Sequence, residues 1–163
     1  MAKSKKKKHP RNFSPRIENR RAHFDYTITD TLECGIKLMG SEVKSIRHGH
    51  VSLAEGYVAI NPNVMGMDLL NVDIALYAQA GIHQHQPRRI RHLLAHKREV
   101  KALHQKTFAK GVTLVPLAMY FKNGMCKVEI GLGIGKKMHD KRQDIQKKEA
   151  DRDIRRAMAR EVR

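Results

Sequence analysis

Five arginine or lysine side chains and two histidines lie within one short segment, residues 87–98. Guanidinium and ammonium groups bind phosphate and ribose, and imidazole rings stack on bases or donate to phosphate. The segment is therefore predicted to form a cationic edge that binds RNA. An ordinary solvated start of a basic helix is the alternative. The cations of the predicted edge are Arg88, Arg89, Arg91, Lys97 and Arg98.

The last 28 residues, 136–163, form a second basic segment, here called the tail. It holds eleven basic and six acidic side chains and neither glycine nor proline. Ala150, Ile154, Met158 and Val162 recur every four residues, as on one face of a helix. Because so little apolar surface cannot stabilise an isolated helix, we expect a tail that is disordered when free and becomes helical on a partner. A loosely packed, solvated terminal helix is the alternative.

The formal net charge of +17 is concentrated at the two ends of the chain. Residues 1–21 alone contribute nine basic groups and one acidic group. A polyanion suits such arms best, because neutralising its phosphates releases counterions. A membrane partner is not expected, since no segment combines a broad apolar face with basic flanks. No apolar stretch of a signal peptide follows the lysines at 5–8, so a cytoplasmic protein is predicted.

Metal binding and catalysis are not predicted, although the chain has ten histidines. His83 with His85, and His92 with His96, lack cysteine or carboxylate neighbours at the spacing of a zinc site. Nothing in the sequence pairs a general acid with a base or forms a phosphate-cradling glycine-rich loop. We therefore expect no catalytic residue, no bound metal and no other cofactor.

The elements that must position these residues are mainly strands. Residues 23–29 alternate between apolar and polar side chains, which predicts a strand that runs toward Gly35. Two further pairs of apolar segments flank turn sequences and predict hairpins. The hairpins comprise residues 57–60 with 64–72, around Asn61-Pro62-Asn63, and residues 112–121 with 126–132, around Lys122-Asn123-Gly124-Met125.

Two helices are predicted between the strands. One spans residues 41–48, with Ser41 as its cap. The other lies within residues 87–110 and ends at Gly111. The glycines of Gly131-x-Gly133-x-Gly135 are interpreted as a flexible joint before the tail.

These patterns predict a mainly β protein with short helices. We expect a small OB-like antiparallel β-barrel of five to seven strands with a flexible basic C-terminal tail. Residues 1–18 would be a disordered basic arm, residues 19–135 the RNA-binding barrel and residues 136–163 the tail. Cys34 and Cys126 are too few for a disulfide framework and are expected to be small buried side chains.

An ordered series of short motifs resembles the SsrA-binding protein (small protein B) family of bacteria. The series runs from about Asn19 to Arg160, and only the lysine-rich first eighteen residues are generic. The motifs are Asn19-Arg20-Arg21-Ala22, Gly40-Ser41-Glu42-Val43-Lys44-Ser45-Ile46-Arg47, Pro87-Arg88-Arg89, Leu93-Leu94-Ala95-His96-Lys97-Arg98-Glu99, Leu117-Ala118-Met119-Tyr120-Phe121-Lys122-Asn123-Gly124, Lys127-Val128-Glu129-Ile130-Gly131 and Gly135-Lys136-Lys137-Met138-His139-Asp140-Lys141-Arg142.

The resemblance implies a role in trans-translation and not an enzymatic activity. Members of the family bind the tRNA-like domain of transfer-messenger RNA and help its alanylation. They deliver it with elongation factor Tu to ribosomes stalled on messages that lack a stop codon. The implied partners are thus transfer-messenger RNA, the small ribosomal subunit with its decoding-centre rRNA and, through the RNA, elongation factor Tu and alanyl-tRNA synthetase. A monomer is expected.

The resemblance also implies roles for individual residues of the body. By matching positions, Glu33, Leu94, His96 and Lys127 fall where the family contacts the tRNA-like domain. The family often has Asn where this chain has His96.

Within the tail, the resemblance implies a motif that engages the decoding centre, with His139 placed to stack on a ribosomal base. The remaining tail would become a helix in the empty mRNA channel, with Ile154 and Met158 as its apolar contacts. The residues of the decoding-centre motif are Gly135, Lys136, Lys137, His139, Asp140, Lys141 and Arg142.

A structural ribosomal protein with basic extensions is the main alternative function, and an RNA hydrolase is a more distant one. Stoichiometry separates the first two, since a constitutive subunit would co-purify with every ribosome. A rescue factor would be sub-stoichiometric and would carry one small structured RNA.

Overall fold

The computed structural model describes residues 15–161. Most of the predicted basic arm, residues 1–14, and the last two residues of the tail lie outside the described residues. None of the described helices is long and apolar enough to cross a membrane. In chain order the elements are β1 (Ile17–Glu18), α1 (Arg20–Asp25), β2 (Tyr26–Ile36), α2 (Gly40–Arg47), β3 (Val51–Ser52), β4 (Tyr57–Asn61), β5 (Gly66–Leu70), β6 (Asp73–Ile74), a 3-10 helix (Ala78–His83), β7 (Arg91–Leu94), α3 (Lys97–Thr107), β8 (Val112–Lys122), β9 (Met125–Gly135) and α4 (Met138–Glu161).

Seven antiparallel strands form one sheet that closes on itself. Hydrogen-bonded neighbours run from β8 through β4, β5, β7 and β2 to β9, and β9 pairs back with β8. These six strands make a complete ring, and β1 pairs with β8 in addition. Strands β3 and β6 form a separate two-stranded sheet. The predicted mainly antiparallel β architecture with short helices is confirmed.

Both predicted hairpins form. Strands β4 and β5 pair in register from Tyr57 opposite Leu70 to Asn61 opposite Gly66. Strands β8 and β9 pair from Val112 opposite Ile134 to Lys122 opposite Met125, with one register shift between Pro116 and Ala118. Their turn is made by Asn123 and Gly124 at φ 53° and 79°, the left-handed backbone that a two-residue hairpin turn requires.

The two predicted helices are α2 and α3, but the cap of α2 differs from the prediction. The backbone N–H of Met39 at the N-cap position donates to the Glu42 carboxylate at 2.7 Å. Ser41 is buried instead, with its hydroxyl 2.9 Å from Nδ1 of His85. Helix α3 ends at Thr107, four residues before Gly111, so Gly111 at φ 81° lies in the turn that leads into β8 and does not itself end the helix as predicted.

The chain enters the ring through α1, where the sequence predicted a strand. Asn19 starts this helix, because its Oδ1 accepts from the backbone N–H of Ala22 at 3.0 Å. The Asn19 amide also donates to the carbonyls of Leu53 and Pro116 at 2.8 and 2.9 Å. The strand predicted from residue 23 therefore begins only at Tyr26. Strand β1 lies within the predicted arm, so the sheet begins before residue 19.

Strand β7 replaces the helical start considered for residues 87–98. It lies between β5 and β2, with Arg91 and Leu93 buried and His92 and Leu94 exposed. Hydrogen bonds to β5 and β2 hold this short segment as a strand, and its own sequence pattern does not predict one.

Two glycines interpreted as a flexible joint lie inside β9 and allow close packing. A Cβ at Gly131 would lie 2.8 Å from Cδ1 of Leu117, and one at Gly133 would lie 3.0 Å from Cβ of Tyr26. Only Gly135, which has open space beside it, remains at the joint to the tail. The interpretation is therefore wrong for Gly131 and Gly133.

The core of the ring is filled by aliphatic side chains from every strand of the hairpins and from α2 and α3. Cys34 is fully buried in it, as predicted, and Cys126 is partly buried against it. Burial raises the pKa of each thiol to about 12. Both cysteines are therefore protonated packing residues at neutral pH.

A buried carboxylate holds the connection between α2 and β7. Glu42 and Arg91 are both fully buried, and Oε1 of Glu42 accepts from Nε of Arg91 at 2.8 Å. Arg89 binds the same carboxylate with two nitrogens, at 2.8 and 2.5 Å. The other Arg91 nitrogens donate to the carbonyls of Val72 and Pro87, each at 2.7 Å. Burial would raise the pKa of Glu42, but these hydrogen bonds outweigh it and leave the pKa below its ordinary value.

Replacing Glu42 with Gln is expected to lower the free energy of unfolding by about 3–5 kcal/mol, because a buried guanidinium is left without its counter-charge. Urea denaturation followed by circular dichroism measures the change. Glu55→Gln is the matched control, since Glu55 pairs with Arg21 at the surface, and should cost less than about 1 kcal/mol. Equal losses in the two variants would contradict the prediction.

Candidate nucleic-acid interface

Four residues from three distant parts of the sequence line one open pocket on the ring. Glu33 on β2, Leu94 on β7, Lys127 on β9 and His96 just before α3 surround a depression of about 420 Å³. Their proximity follows from the sheet register, which places Gly35 opposite both Leu94 and Lys127. We call this depression the Glu33 pocket. Its full lining is Glu33, Gly35, Leu94, Ala95, His96, Glu99 and Lys127.

The Glu33 carboxylate is held by two hydrogen-bond donors and lies near a third side chain, a lysine. Tyr120 donates its hydroxyl at 2.5 Å, Lys122 donates at 3.0 Å, and Nζ of Lys127 lies 4.0 Å away. The hydrogen bonds from Tyr120 and Lys122 lower the pKa of Glu33 below its ordinary value. The pocket therefore presents a fixed anionic acceptor beside a cation, which suits a ligand that offers both donors and phosphates.

The opposite wall of the pocket combines apolar and aromatic surface. The Leu94 side chain is 60% exposed, although it packs closely over Gly35, where an added Cβ would lie 3.3 Å from its own Cβ. The backbone N–H of His96 donates to the Glu99 carboxylate at 2.9 Å, which orients the start of α3 and leaves the imidazole exposed. An exposed leucine and imidazole can pack against a base or a ribose.

The cations predicted as one edge are divided between the surface and the interior. Lys97 and Arg98 are exposed in the first turn of α3, beside His96. Arg88 is exposed but paired with Asp73 at 3.1 Å. Arg89 and Arg91 both form ion pairs with Glu42. Because Arg91 has no exposed surface, it cannot contact RNA in this fold.

The start of the tail rests on α1. The backbone N–H of Lys136 donates to the Asp25 carbonyl at 2.9 Å, and its Nζ donates to the His23 carbonyl at 3.0 Å. One turn later, Nζ of Lys141 lies 2.6 Å from the Asp25 carboxylate and 5.6 Å from the ring centre of Phe24. Lys141 is the largest cause of an Asp25 pKa below the ordinary value. Sequence reasoning missed Asp25, which no local pattern connects with the tail.

Four other residues of the predicted decoding-centre motif lie on or just before the first turns of α4. His139 and Arg142 are exposed on the first turns of α4, as is Lys137 just before it. Asp140 accepts from the backbone N–H of Lys137 at 3.3 Å and so caps the helix start.

Helix α4 carries most of the tail. The side chains of Ile154 and Met158 are 53% and 61% exposed. The helix itself agrees with the helical pattern of the sequence, while the expectation that it is disordered when free stays a prediction. Among the described residues, no three His, Cys, Asp or Glu side chains cluster in a way that could hold a metal ion.

A closed ring of antiparallel strands that carries a polar pocket and a basic helical extension defines the chain as a β protein with two separate candidate surfaces for nucleic acid. Residues 16–160 match the family model described as "SmpB protein", and the chain belongs to this family.

Curated relatives cover nearly the whole chain. The SsrA-binding protein of Levilactobacillus brevis is 48% identical over 158 residues, which are 97% of this chain and 98% of that protein. The SsrA-binding protein of Rhodopirellula baltica is 46% identical over 155 residues, 94% of this chain and 87% of that protein.

A solved structure is also similar. One chain of the structure described as "tmRNA-SmpB: a journey to the center of the bacterial ribosome" superposes with a TM-score of 0.66 at 44% sequence identity. The match covers 77% of this chain and 87% of that chain. These relatives favour the RNA-binding family over the alternative of a structural ribosomal protein.

Replacing Asp25 with Asn is expected to loosen the start of α4 from the body, because an amide cannot form the ion pair with Lys141. Double electron–electron resonance between spin labels on Lys101→Cys and Glu149→Cys should then give a broader distance distribution. Since the pKa of Asp25 is lowered in the fold, the wild type should keep a narrow distribution at neutral pH. It should broaden only as the pH falls through that lowered pKa.

Asp73→Asn is the control for this experiment, because Asp73 forms an ion pair with Arg88 on elements that carry neither label. Its distribution should match the wild type. An unchanged distribution in Asp25→Asn would mean that Asp25 does not position the tail.

Proposed function

We propose that this chain binds the tRNA-like domain of transfer-messenger RNA with its body and brings that RNA to stalled ribosomes for trans-translation. In this scheme, elongation factor Tu and alanyl-tRNA synthetase bind the RNA and so interact with this chain indirectly. The chain acts as an adaptor in the bacterial cytoplasm and carries out no chemical step of its own. The ring of strands would be an OB-like barrel used for RNA recognition.

The observation that carries the proposal is the convergence of Glu33, Leu94, His96 and Lys127 in one pocket. The family resemblance implies each of these four as an RNA contact, and they come from three strands and a helix start. The chemistry of the pocket suits structured RNA, because Lys127 can bind a phosphate while the Glu33 carboxylate can accept from a ribose hydroxyl or a base. Lys97 and Arg98 extend the positive charge beside it.

The tail is proposed to act on a second RNA, in the ribosome. A decoding centre without a codon is an RNA-walled channel, in which a cationic helix gains free energy by counterion release. His139, Lys141 and Arg142 would engage the decoding centre, and Ile154 and Met158 would supply the apolar contacts in the mRNA channel. The exposure of these two apolar side chains supports a partner for that face of α4.

Replacing Lys127 with Ala should weaken binding of a tRNA-like RNA and make the binding less dependent on salt. Each phosphate contact adds about 0.9 to the slope of log affinity against log salt, so losing one should reduce the slope by about 1. Fluorescence anisotropy over a salt series measures both quantities.

Lys110→Ala removes the same charge from an exposed loop outside the pocket and serves as the control. The proposal requires a larger loss of affinity for Lys127→Ala than for Lys110→Ala. An unchanged slope in Lys127→Ala would argue against a phosphate contact at the pocket.

Deleting residues 136–163 should leave binding to the tRNA-like RNA nearly intact and abolish peptide tagging, because the pocket is formed entirely by the body. RNA affinity and tagging of a stalled nascent chain in a reconstituted translation system are the two measurements. A large loss of RNA affinity on truncation would refute this division of roles between body and tail.

A further inference from the structure

Three aromatic rings from two separate parts of the chain stack on the surface beside α2. The ring centres of His48 and His50 are 6.0 Å apart with planes inclined by 24°. Those of His48 and Tyr77 are also 6.0 Å apart, inclined by 27°. Both histidines are exposed and Tyr77 is half-buried. We call these three rings the ring cluster, and neither the Glu33 pocket nor the tail includes them.

Two cations lie beside the ring cluster. Nζ of Lys44 lies 5.0 Å from the centre of the Tyr77 ring, and the guanidinium of Arg47 lies 5.4 Å from that of Phe121. Within the part of the chain that the structure describes, neither cation forms an ion pair with a carboxylate, whereas Arg21, Arg88 and Lys106 all do. Two positive charges therefore remain beside a row of aromatic faces.

The backbone beneath the rings is firmly held. Ser45 donates its hydroxyl to the Ala75 carbonyl at 2.7 Å, and the Ala75 N–H donates to the His50 carbonyl at 3.0 Å. Gln84 bonds to Tyr77 on both sides, accepting from its N–H at 3.3 Å and donating to its carbonyl at 2.5 Å. Gly49, at φ 78°, makes the tight turn that places the two imidazoles side by side. The backbone that carries the three rings is thus held in place.

We infer that the ring cluster binds an unpaired RNA nucleotide, with its base stacked on the rings and its phosphates near Lys44 and Arg47. Aromatic faces flanked by unpaired cations are the arrangement with which proteins hold single-stranded nucleic acid. Burial of apolar core surface cannot explain the cluster, since two of its three rings are exposed to solvent.

The cluster is also continuous with the side of the body that carries the pocket. Phe121, under Arg47, lines an apolar depression of about 390 Å³ together with Leu94 and Lys127. An RNA strand that leaves the Glu33 pocket could cross Arg47 and reach the rings. The inference rests on the proposed RNA-binding function and adds a second contact on the body.

Photocrosslinking of the full-length protein tests the inference directly. The probe is an oligouridine of about twelve nucleotides that carries iodouridine, a length that exceeds a single stacking site. Mass spectrometry should find crosslinks on Tyr77, His48 or His50. Crosslinks confined to other residues would overturn the inference without any variant being needed.

Affinity measurements with substituted chains give an independent readout. Tyr77→Leu should weaken oligouridine binding about tenfold, since stacking on one aromatic ring contributes about 1–3 kcal/mol per base. Its salt dependence should not change, because no charge is lost. Tyr77→Phe should bind within about twofold of the wild type, because the ring is kept. Tyr57→Leu, at an exposed tyrosine outside the ring cluster, is the control for loss of a surface ring.

The outcomes distinguish this inference from the proposed function. If the wild type binds tRNA-like RNA but Tyr77→Leu binds oligouridine as well as the wild type does, the ring cluster is not a nucleotide site and the inference fails alone. If the wild type binds neither RNA, the proposed function fails with it. Circular dichroism melting curves that match the wild type establish that Tyr77→Leu is folded.

Discussion

The buried carboxylate of Glu42, clamped by Arg89 and Arg91, is the contact on which the arrangement of the functional surface depends. It joins α2 to the start of β7, and so holds β7 between β5 and β2 in the ring. The end of β7 carries Leu94, and the residues that follow it carry His96 into the pocket. Because a charge in the interior is tolerated only while its partners stay in place, the ion pair fixes this geometry tightly.

Carboxylates decide where the positive charge of this chain is available. Asp73 forms an ion pair with Arg88 and Asp25 forms one with Lys141. Glu42 pairs with Arg91 in the interior, where Arg91 has no exposed surface. Glu33 pairs with Lys122 and Lys127, and of these two cations it keeps Lys127 beside it in the lining of an open pocket. A strongly basic protein thus presents distinct contact surfaces instead of one diffuse cationic field, which is what separate roles for the body and the tail require.

Elements with strong local signals were predicted from the sequence. The Asn123-Gly124 turn and the alternating strands around it act within a few residues, so their outcome does not depend on the rest of the fold. The elements that were not predicted depend on contacts with distant parts of the chain. Strand β7 has only four residues and takes its conformation from two neighbouring strands, while the entry helix α1 depends on bonds from Asn19 to carbonyls far along the chain. Gly131 and Gly133 were interpreted as flexible because nothing near them in the sequence shows the side chains that pack against them. Those side chains belong to β8 and β2.

The sequence by itself determined the chemistry of this protein: its charge, the basic ends, the family motifs and the absence of a convincing catalytic or metal pattern are all local or compositional properties. Only the tertiary structure decided which side chains are exposed and grouped together so that they can bind a partner. It buried Arg91, brought Glu33 and Lys127 together from strands almost a hundred residues apart, connected Asp25 to the tail and stacked Tyr77 beside two histidines. The physical reason is that burial, ion pairing and stacking are properties of a residue's neighbours in space, and the neighbours are set by strand order and register.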